Sequence, residues 1–456
     1  MHFNKKKKIL FLLINLVLIG FLSLNDPRSY LLSEPFDITI QAIGIAISKL
    51  EYGAKSYLGL KDLYLHLNEI PHVTKFSSGY KYLLEGSLLD VNSIKELTDY
   101  NSIVKTKISE TLVLKNVDYS NFYIYQNDIG YPMFITLSFY LFGYDLKSIT
   151  MLFLVILFLS SFIFALNFLN DDLSFFLILL ITFLFIPILL INFGGDMQAI
   201  GSINQRFLSI LTLIPGVFIS LMIIRKPSYS KFNVASLIVQ LILISLLINV
   251  RGTSGWVILY LLIFSIIYLI YEFKKDKFKN KRKILHIIFI FFGVFGLFKI
   301  NQILIDYSIN KEKYYKISTA KHMVWHNIFI GISNYPNIYK NYVCLDDGEI
   351  IKKYNYNFSL QKCDDKTISN KKNLFDQVLI KNYDHHGLSA VVRYLSENKI
   401  DKELGRNDLN ALEWNLDWTM YETSLRKIYF EIIKSHPLEY LYIQLVLKPL
   451  EILYNL

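Results

Sequence analysis

The sequence predicts an all-α polytopic membrane protein. We expect about 7–9 transmembrane helices, a long first exoplasmic loop, and a polar, mostly helical C-terminal exoplasmic region. Three observations predict this class. The 456 residues are 53% hydrophobic and 15% aromatic, with a mean hydropathy of +0.35, against roughly 45–50% apolar residues in soluble domains. Apolar runs near the length of a bilayer crossing recur along the chain. Lys/Arg clusters flank those runs instead of gathering on one face, so the net charge of +10 reads as anchoring to anionic lipid and not as nucleic-acid binding.

Taken in order, the chain opens on Lys5-Lys6-Lys7-Lys8 and an apolar run at 9–24. The following "LNDPRSYLL" has no small-x-small cleavage site, so 1–24 reads as a cytoplasmic basic end and an uncleaved first span. Residues 25–130 are the first exoplasmic loop. Its stretch "FDITIQAIGIAISKLEYGAKSYLGL" has apolar residues at helical spacing, the pattern of one or two amphipathic helices on the membrane surface. A transmembrane bundle at 131–305 begins with 131–142, which is short of the ~20 residues that a crossing needs and reads as re-entrant or interfacial. Full spans are expected at 149–169, 173–193, 207–224, 233–250, 256–273 and 284–305.

Charge sets the orientation. With the N-terminus cytoplasmic and 131–142 not crossing, 1–8, 170–172, 225–232 and 274–283 lie inside and hold fourteen Lys/Arg. The short outer loops, 194–206 and 251–255, hold only Arg206 and Arg251. The positive-inside rule favours this arrangement over the one in which 131–142 crosses. The expected location is the bacterial inner (plasma) membrane.

Residues 306–456 form the C-terminal exoplasmic region. Cys344 and Cys363 are the only cysteines, and in an oxidising compartment they can pair. "WTMYETSLRKIYFEIIKSHP" has helical periodicity. "PLEYLYIQLVLKPLEILYNL" is apolar enough to lie in the membrane interface, and Lys448-Pro449 interrupts it.

Candidate chemistry gathers at span ends. In "QNDIGYPMFITLSFYLFG", Asp128 sits at the lip of the short segment, where a carboxylate is costly unless solvated, paired or metal-bound. It can serve as a general base, and it is equally a favoured helix N-cap. Arg206 in "GSINQRF" and Arg251 in "NVRGTSGW" offer permanent charge and forked donors suited to phosphate, or snorkel to headgroups. Asp196 follows two glycines in "NFGGDMQAIG". His322 and His326 in "KHMVWHNIFIGISNYPN" are one helical turn apart. They can hydrogen-bond a sugar, or hold a divalent metal ion with Asp346 and Asp347, but Met323 stands where a zinc peptidase has its Glu. His385-His386 after Asp384 is a weaker pair. No Walker A, GxSxG, CxxC or Rossmann pattern occurs, which leaves nucleotide hydrolysis and serine hydrolysis without support.

The stretch "DIGYPMFITLSFYLFGYDLKSITMLFLVILFLSSFIFALNF" resembles the early membrane region of GT-C-type glycosyltransferases, with a Tyr-Pro, an apolar stretch ending in Phe-Gly, then a long span. The layout is similar as well. The resemblance implies a polyprenyl-phosphate-linked sugar donor, an exoplasmic acceptor and an essential acidic residue in the first exoplasmic loop, here Asp128 or Asp37. It implies no certain cofactor. Two other readings remain: a ligase or polymerase of lipid-linked glycans, and a transporter or flippase. Transporters tend to have internal repeats and ionisable residues inside the membrane; here no repeat is visible and charge crowds the span ends.

Overall fold

The long apolar runs fold into helices, as a chain in lipid must satisfy its backbone hydrogen bonds internally. The computed structural model describes residues 4–25, 36–54, 58–70, 91–123, 129–190, 208, 210–224, 230–251, 254, 256–276, ten positions between 288 and 303, 324–333, 335–345, 383–398 and 418–447. At some helix ends, 36–38 and 383–385 among them, only the backbone is described. The chain divides into two compact units, Met1–Tyr315 and Lys316–Leu456.

In the N-terminal unit, α1 (Lys5–Asn25) packs on α6 (Leu146–Asn167) and α7 (Asp172–Leu190). One face of α1 is buried through Leu12, Leu16 and Ile19, while Leu10, Val17 and Phe21 on the other face are exposed. Large apolar exposure of this kind suits lipid and not water. Further helices are α8 (Leu213–Ile224), α9 (Lys231–Val250) and α10 (Trp256–Asp276). Among the described residues, α1, α6 and α9 are long and apolar enough to cross a membrane, and α7, α8 and α10 contain shorter apolar helical stretches.

Polar caps set several ends. The Asp145 side chain accepts the Lys147 N–H at 2.9 Å to start α6, and Ser230 accepts the Asn233 N–H at 3.1 Å to start α9, each satisfying a donor the helix cannot. Midway, Ser160 and Gln240 exchange hydrogen bonds of 2.7 and 2.8 Å, a buried polar tie between α6 and α9. Where α6 turns into α7, Lys8 is buried; its Nζ donates to the Leu169 carbonyl at 2.8 Å, pairs with Asp172 at 2.5 Å and lies over the Phe175 ring.

The first loop is more enclosed than its periodicity suggests. In α2 (Phe36–Leu50), residues 39–48 are all buried. The helix does not lie along a surface: α5 (Gly130–Phe142), β1 (Gly59–Leu60) and α3 (Lys61–Leu67) cover it. β1 pairs antiparallel with β2 (Phe122–Tyr123). The Tyr123 hydroxyl donates to the Gln41 carbonyl at 2.6 Å; that hydroxyl lies where a Cβ on Gly44 would sit, and the ring where one on Gly59 would. The Ser48 hydroxyl donates to Gly44 O and accepts Leu60 N–H, joining α2 to β1. Beyond α3, α4 (Val91–Leu112) returns with Lys107 bound to Glu69 at 2.6 Å. The turn after α5 is tied to this loop: Tyr144 hydrogen-bonds Glu51, and Lys105 pairs with Asp145 at 3.4 Å.

The C-terminal unit has its own core of Phe329, Ile332, Val391, Leu425 and Ile432 with their neighbours. It is built from α11 (Val324–Ser333), α12 (Pro336–Ile338) running into a π-helical turn at Tyr339–Val343, α13 (Tyr383–Glu397), α14 (Trp418–Ser435) and α15 (Pro437–Tyr442), which runs into a second π-helical turn at Ile443–Leu447. Cys344 is disulfide-bonded; Cys363, the other cysteine of the sequence, lies outside the described residues. Arg393 donates to the Lys340 and Cys344 carbonyls at 2.9 and 3.0 Å, capping the π-helical turn.

Candidate functional site

Three helix ends meet in the N-terminal unit, and each adjoins a candidate residue. α5 begins at Gly130, two positions after Asp128. A Cβ on Gly130 would lie 2.1 Å from the Asn249 carbonyl oxygen and 2.6 Å from the Val250 nitrogen. Only glycine permits so close an approach, so the start of α5 rests directly on the backbone at the end of α9. Arg251 follows as the C-cap of α9, half-buried and extended at φ −146° and ψ 120°. A basic residue is favoured at this position, because a helix C-terminus carries partial negative charge. Its own carbonyl accepts the Ser254 N–H at 2.9 Å, shaping the turn that follows.

The next residue of α5, Tyr131, is buried and its hydroxyl is hydrogen-bonded to the side chain of Thr39. Thr39 sits two positions after Asp37, the second residue of α2. The α5 N-cap is Ile129, which has no side-chain acceptor to offer. The first turns of α2 and α5 therefore adjoin one another and the end of α9. Two helix N-termini favour negative charge. With a carboxylate for proton removal and a guanidinium for phosphate, such a meeting point can serve group transfer from a phosphate ester.

Asp128, Arg206, Asp196, His322, Asp346 and Asp347 lie outside the described residues, and Asp37 is described by its backbone alone. His326 belongs to the C-terminal unit and is buried there. Its Nδ1 is 2.7 Å from the Tyr421 hydroxyl. Its backbone N–H and that of Trp325 donate to the Glu422 carboxylate at 3.1 and 2.8 Å, so Glu422 caps α11 from another helix. A Cβ on Gly387 would sit 2.2 Å from the Tyr421 oxygen, so α13 closes over the pair. His386 lies 2.9 Å from the Ser333 hydroxyl and edge-on to Tyr339. These partners give His326 the role of a buried, hydrogen-bonded core histidine. Among the described residues no group of three or more His, Cys, Asp and Glu can hold a metal ion.

An open groove of 290 Å³ in the first loop is lined by Asp62, His66, Glu69, Lys115 and Asn116. Its charges already serve the loop: Asp62 accepts the Asp118 N–H at 2.8 Å, and Lys107 bridges Glu69 and Glu110. Gly130 and Tyr131 belong to the Gly-Tyr-Pro that follows Asp128 in the sequence, whereas Thr39 carries no signal of its own there. Tyr421 and Glu422 gave none, since their partners are 95 to 97 residues away. No protein-family model, curated protein or solved structure matches this chain.

Proposed function

We propose that the chain is an integral-membrane glycosyltransferase of the GT-C type. It moves a sugar from a polyprenyl-phosphate donor to an exoplasmic acceptor, be that a glycan, lipid or protein. The observation that carries this reading is the meeting of three helix ends. Gly130, just past Asp128, abuts the backbone that ends in Arg251, and Tyr131 is bonded to Thr39, just past Asp37. Three residues chosen from sequence for complementary roles thus adjoin elements that touch. The disulfide at Cys344 is a second support, since such bonds persist in oxidising compartments.

In this reaction Asp128 or Asp37 takes the proton of the acceptor hydroxyl as its oxygen attacks the anomeric carbon. The bond from that carbon to the lipid phosphate oxygen breaks with inversion, and polyprenyl phosphate leaves with the electron pair. Arg251 offsets the charge gathering on the departing phosphate, with Arg206 as a second cation. The test is turnover by purified full-length protein in nanodiscs, given a panel of short-chain polyprenyl-phosphate sugars. The expected result is release of polyprenyl phosphate, lowered at least ~100-fold by Asp128→Ala or Asp37→Ala and reduced by Arg251→Lys. No release from any donor by a folded protein would overturn the reading in favour of ligation or transport.

A further inference from the structure

The C-terminal unit carries an exposed apolar stripe that its own core does not use. Over α15 and its π-helical continuation, Leu438, Leu441, Tyr442, Leu445 and Val446 recur at helical spacing and are exposed, Leu438 by 81% and Leu445 by 71%. The opposite face is fixed: Ile443 is buried and Tyr440 and Leu447 pack against the core. The helix therefore cannot roll to hide its apolar side. The only charged residue in 437–447 is Glu439, which is held 3.9 Å from His436.

We propose that this stripe docks the C-terminal unit on the membrane–water interface, with lipid acyl chains and headgroups as its partner. The charges on the preceding helix suit that partner. Arg426, Lys427 and Lys434 are exposed on α14 against the single exposed carboxylate Glu431. The Arg426 guanidinium lies over the rings of Trp325 and Phe430, at 5.7 and 6.0 Å. An exposed apolar stripe on a unit that also exposes aromatic rings and basic groups has the composition of interfacial helices, whose cations meet anionic headgroups while the rings sit at headgroup level. The same polypeptide already holds membrane-spanning helices, so docking is intramolecular and needs only modest affinity. A soluble partner has no such advantage. The inference does not depend on which reaction the N-terminal unit performs.

The test uses the full chain reconstituted in liposomes containing anionic lipid. Nitroxide labels are attached at Leu438→Cys, Leu445→Cys and, as a control on the same unit, Lys434→Cys, with the unsubstituted protein as the labelling blank. Power-saturation EPR then compares collision with oxygen, which concentrates in lipid, and with a water-soluble nickel chelate. The expected result is several-fold preference for oxygen at 438 and 445, and for nickel at 434. Nickel-accessible labels at all three positions would overturn the proposal. So would labels at 438 and 445 shielded from both reagents, which would mean that protein covers the stripe. Because these side chains are exposed, the substitutions leave the core intact, and gel filtration of each labelled protein checks this before reconstitution.

Discussion

Gly130→Ala tests the junction on which the proposed site depends. The added Cβ would lie 2.1 Å from the Asn249 carbonyl oxygen, and real Cβ contacts essentially never fall below 3.0 Å, so α5 and α9 must part by at least 0.9 Å. The obstructing atoms are backbone, so no rotamer change relieves the clash. A gap of ~0.5–1 Å forfeits a quarter to a half of each dispersion contact across it. Overpacking of this kind costs about 1–3 kcal/mol. The same displacement moves the residues before Gly130 away from those after Val250, and ~1 Å of misplacement in a catalytic array can cost about 100-fold in rate. Thermal unfolding in detergent, followed by fluorescence-detected gel filtration, reads the stability, and polyprenyl-phosphate release reads the rate. Gly296→Ala is the control, since nothing lies within 4 Å of its Cβ; it should be neutral or slightly stabilising. A Gly130→Ala protein that melts with the wild type would refute the close approach. One that melts lower but turns over normally would refute the link between that junction and the chemistry.

The remaining predictions concern what holds the N-terminal unit together. Gln240→Leu removes both hydrogen bonds with Ser160 and should cost about 0.6–1.7 kcal/mol; Ser160→Ala removes only the hydroxyl bond, since the Gln240 amide donates to the Ser160 backbone carbonyl, so a double-mutant cycle should return the coupling of that one bond, about 0.6 kcal/mol, and additivity would count against it. Asp172→Asn should destabilise more than Lys8→Met, because the first leaves a buried ammonium without its carboxylate and the second leaves only a half-exposed carboxylate; the reverse order in thermal unfolding would contradict the assigned burial. Acid stability follows from carboxyls held low. The hydrogen bond from Lys107 lowers Glu69, and those from the Ser120 hydroxyl and N–H lower Asp118. Groups lowered in the folded state stabilise it above the ordinary carboxylate range and lose that contribution as pH falls through their folded values. Lys107, raised by its bond to Glu69, stabilises below its ordinary value and loses this as pH rises through the raised one. Lys107→Met should therefore flatten the loss of stability as pH falls through and below the ordinary carboxylate range, as read by unfolding at stepped pH.

Hydropathy made the long helices legible because lipid-facing and core-facing positions are both apolar. The expected 149–169, 233–250 and 256–273 become Leu146–Asn167, Lys231–Val250 and Trp256–Asp276. The ends differ where polar caps such as Asp145 and Ser230 begin a helix before hydropathy rises. The burial of α2 was not legible. The periodicity of this stretch reads as an amphipathic surface helix, yet its polar Thr39, Gln41 and Ser48 are all buried. Their partners come from afar: Tyr131 for Thr39, the Tyr123 hydroxyl for the Gln41 backbone, and Leu60 for Ser48. Periodicity reports a face, and what covers that face is a tertiary fact. The candidate site was legible as a set of residues at helix ends. Which ends meet was not, since the junction depends on one glycine whose missing Cβ has no hydropathy signature.

The start and end of α5 bear on the sidedness that the charge pattern predicts. Its 13 residues span about 20 Å, against a hydrocarbon core of about 30 Å. It starts on the backbone at the end of α9 and ends at the turn held by Glu51 and Lys105. The 22 residues of α6 then run about 33 Å to the turn that Lys8 grips beside the basic N-terminal end. If α6 crosses and α5 does not, the first loop, the α5–α6 turn and Arg251 share one side, while Lys8, 225–232 and 274–283 share the other. Topology reporters fused after residues 100, 228, 278 and 400 should then read exoplasmic, cytoplasmic, cytoplasmic and exoplasmic. A reporter at 278 reading exoplasmic would put seven basic residues on the wrong side and Arg251 on the cytoplasmic face. A lipid-linked donor presented from the outer leaflet could not reach it there, and the glycosyltransferase reading would have to be given up even if Gly130→Ala behaved as expected.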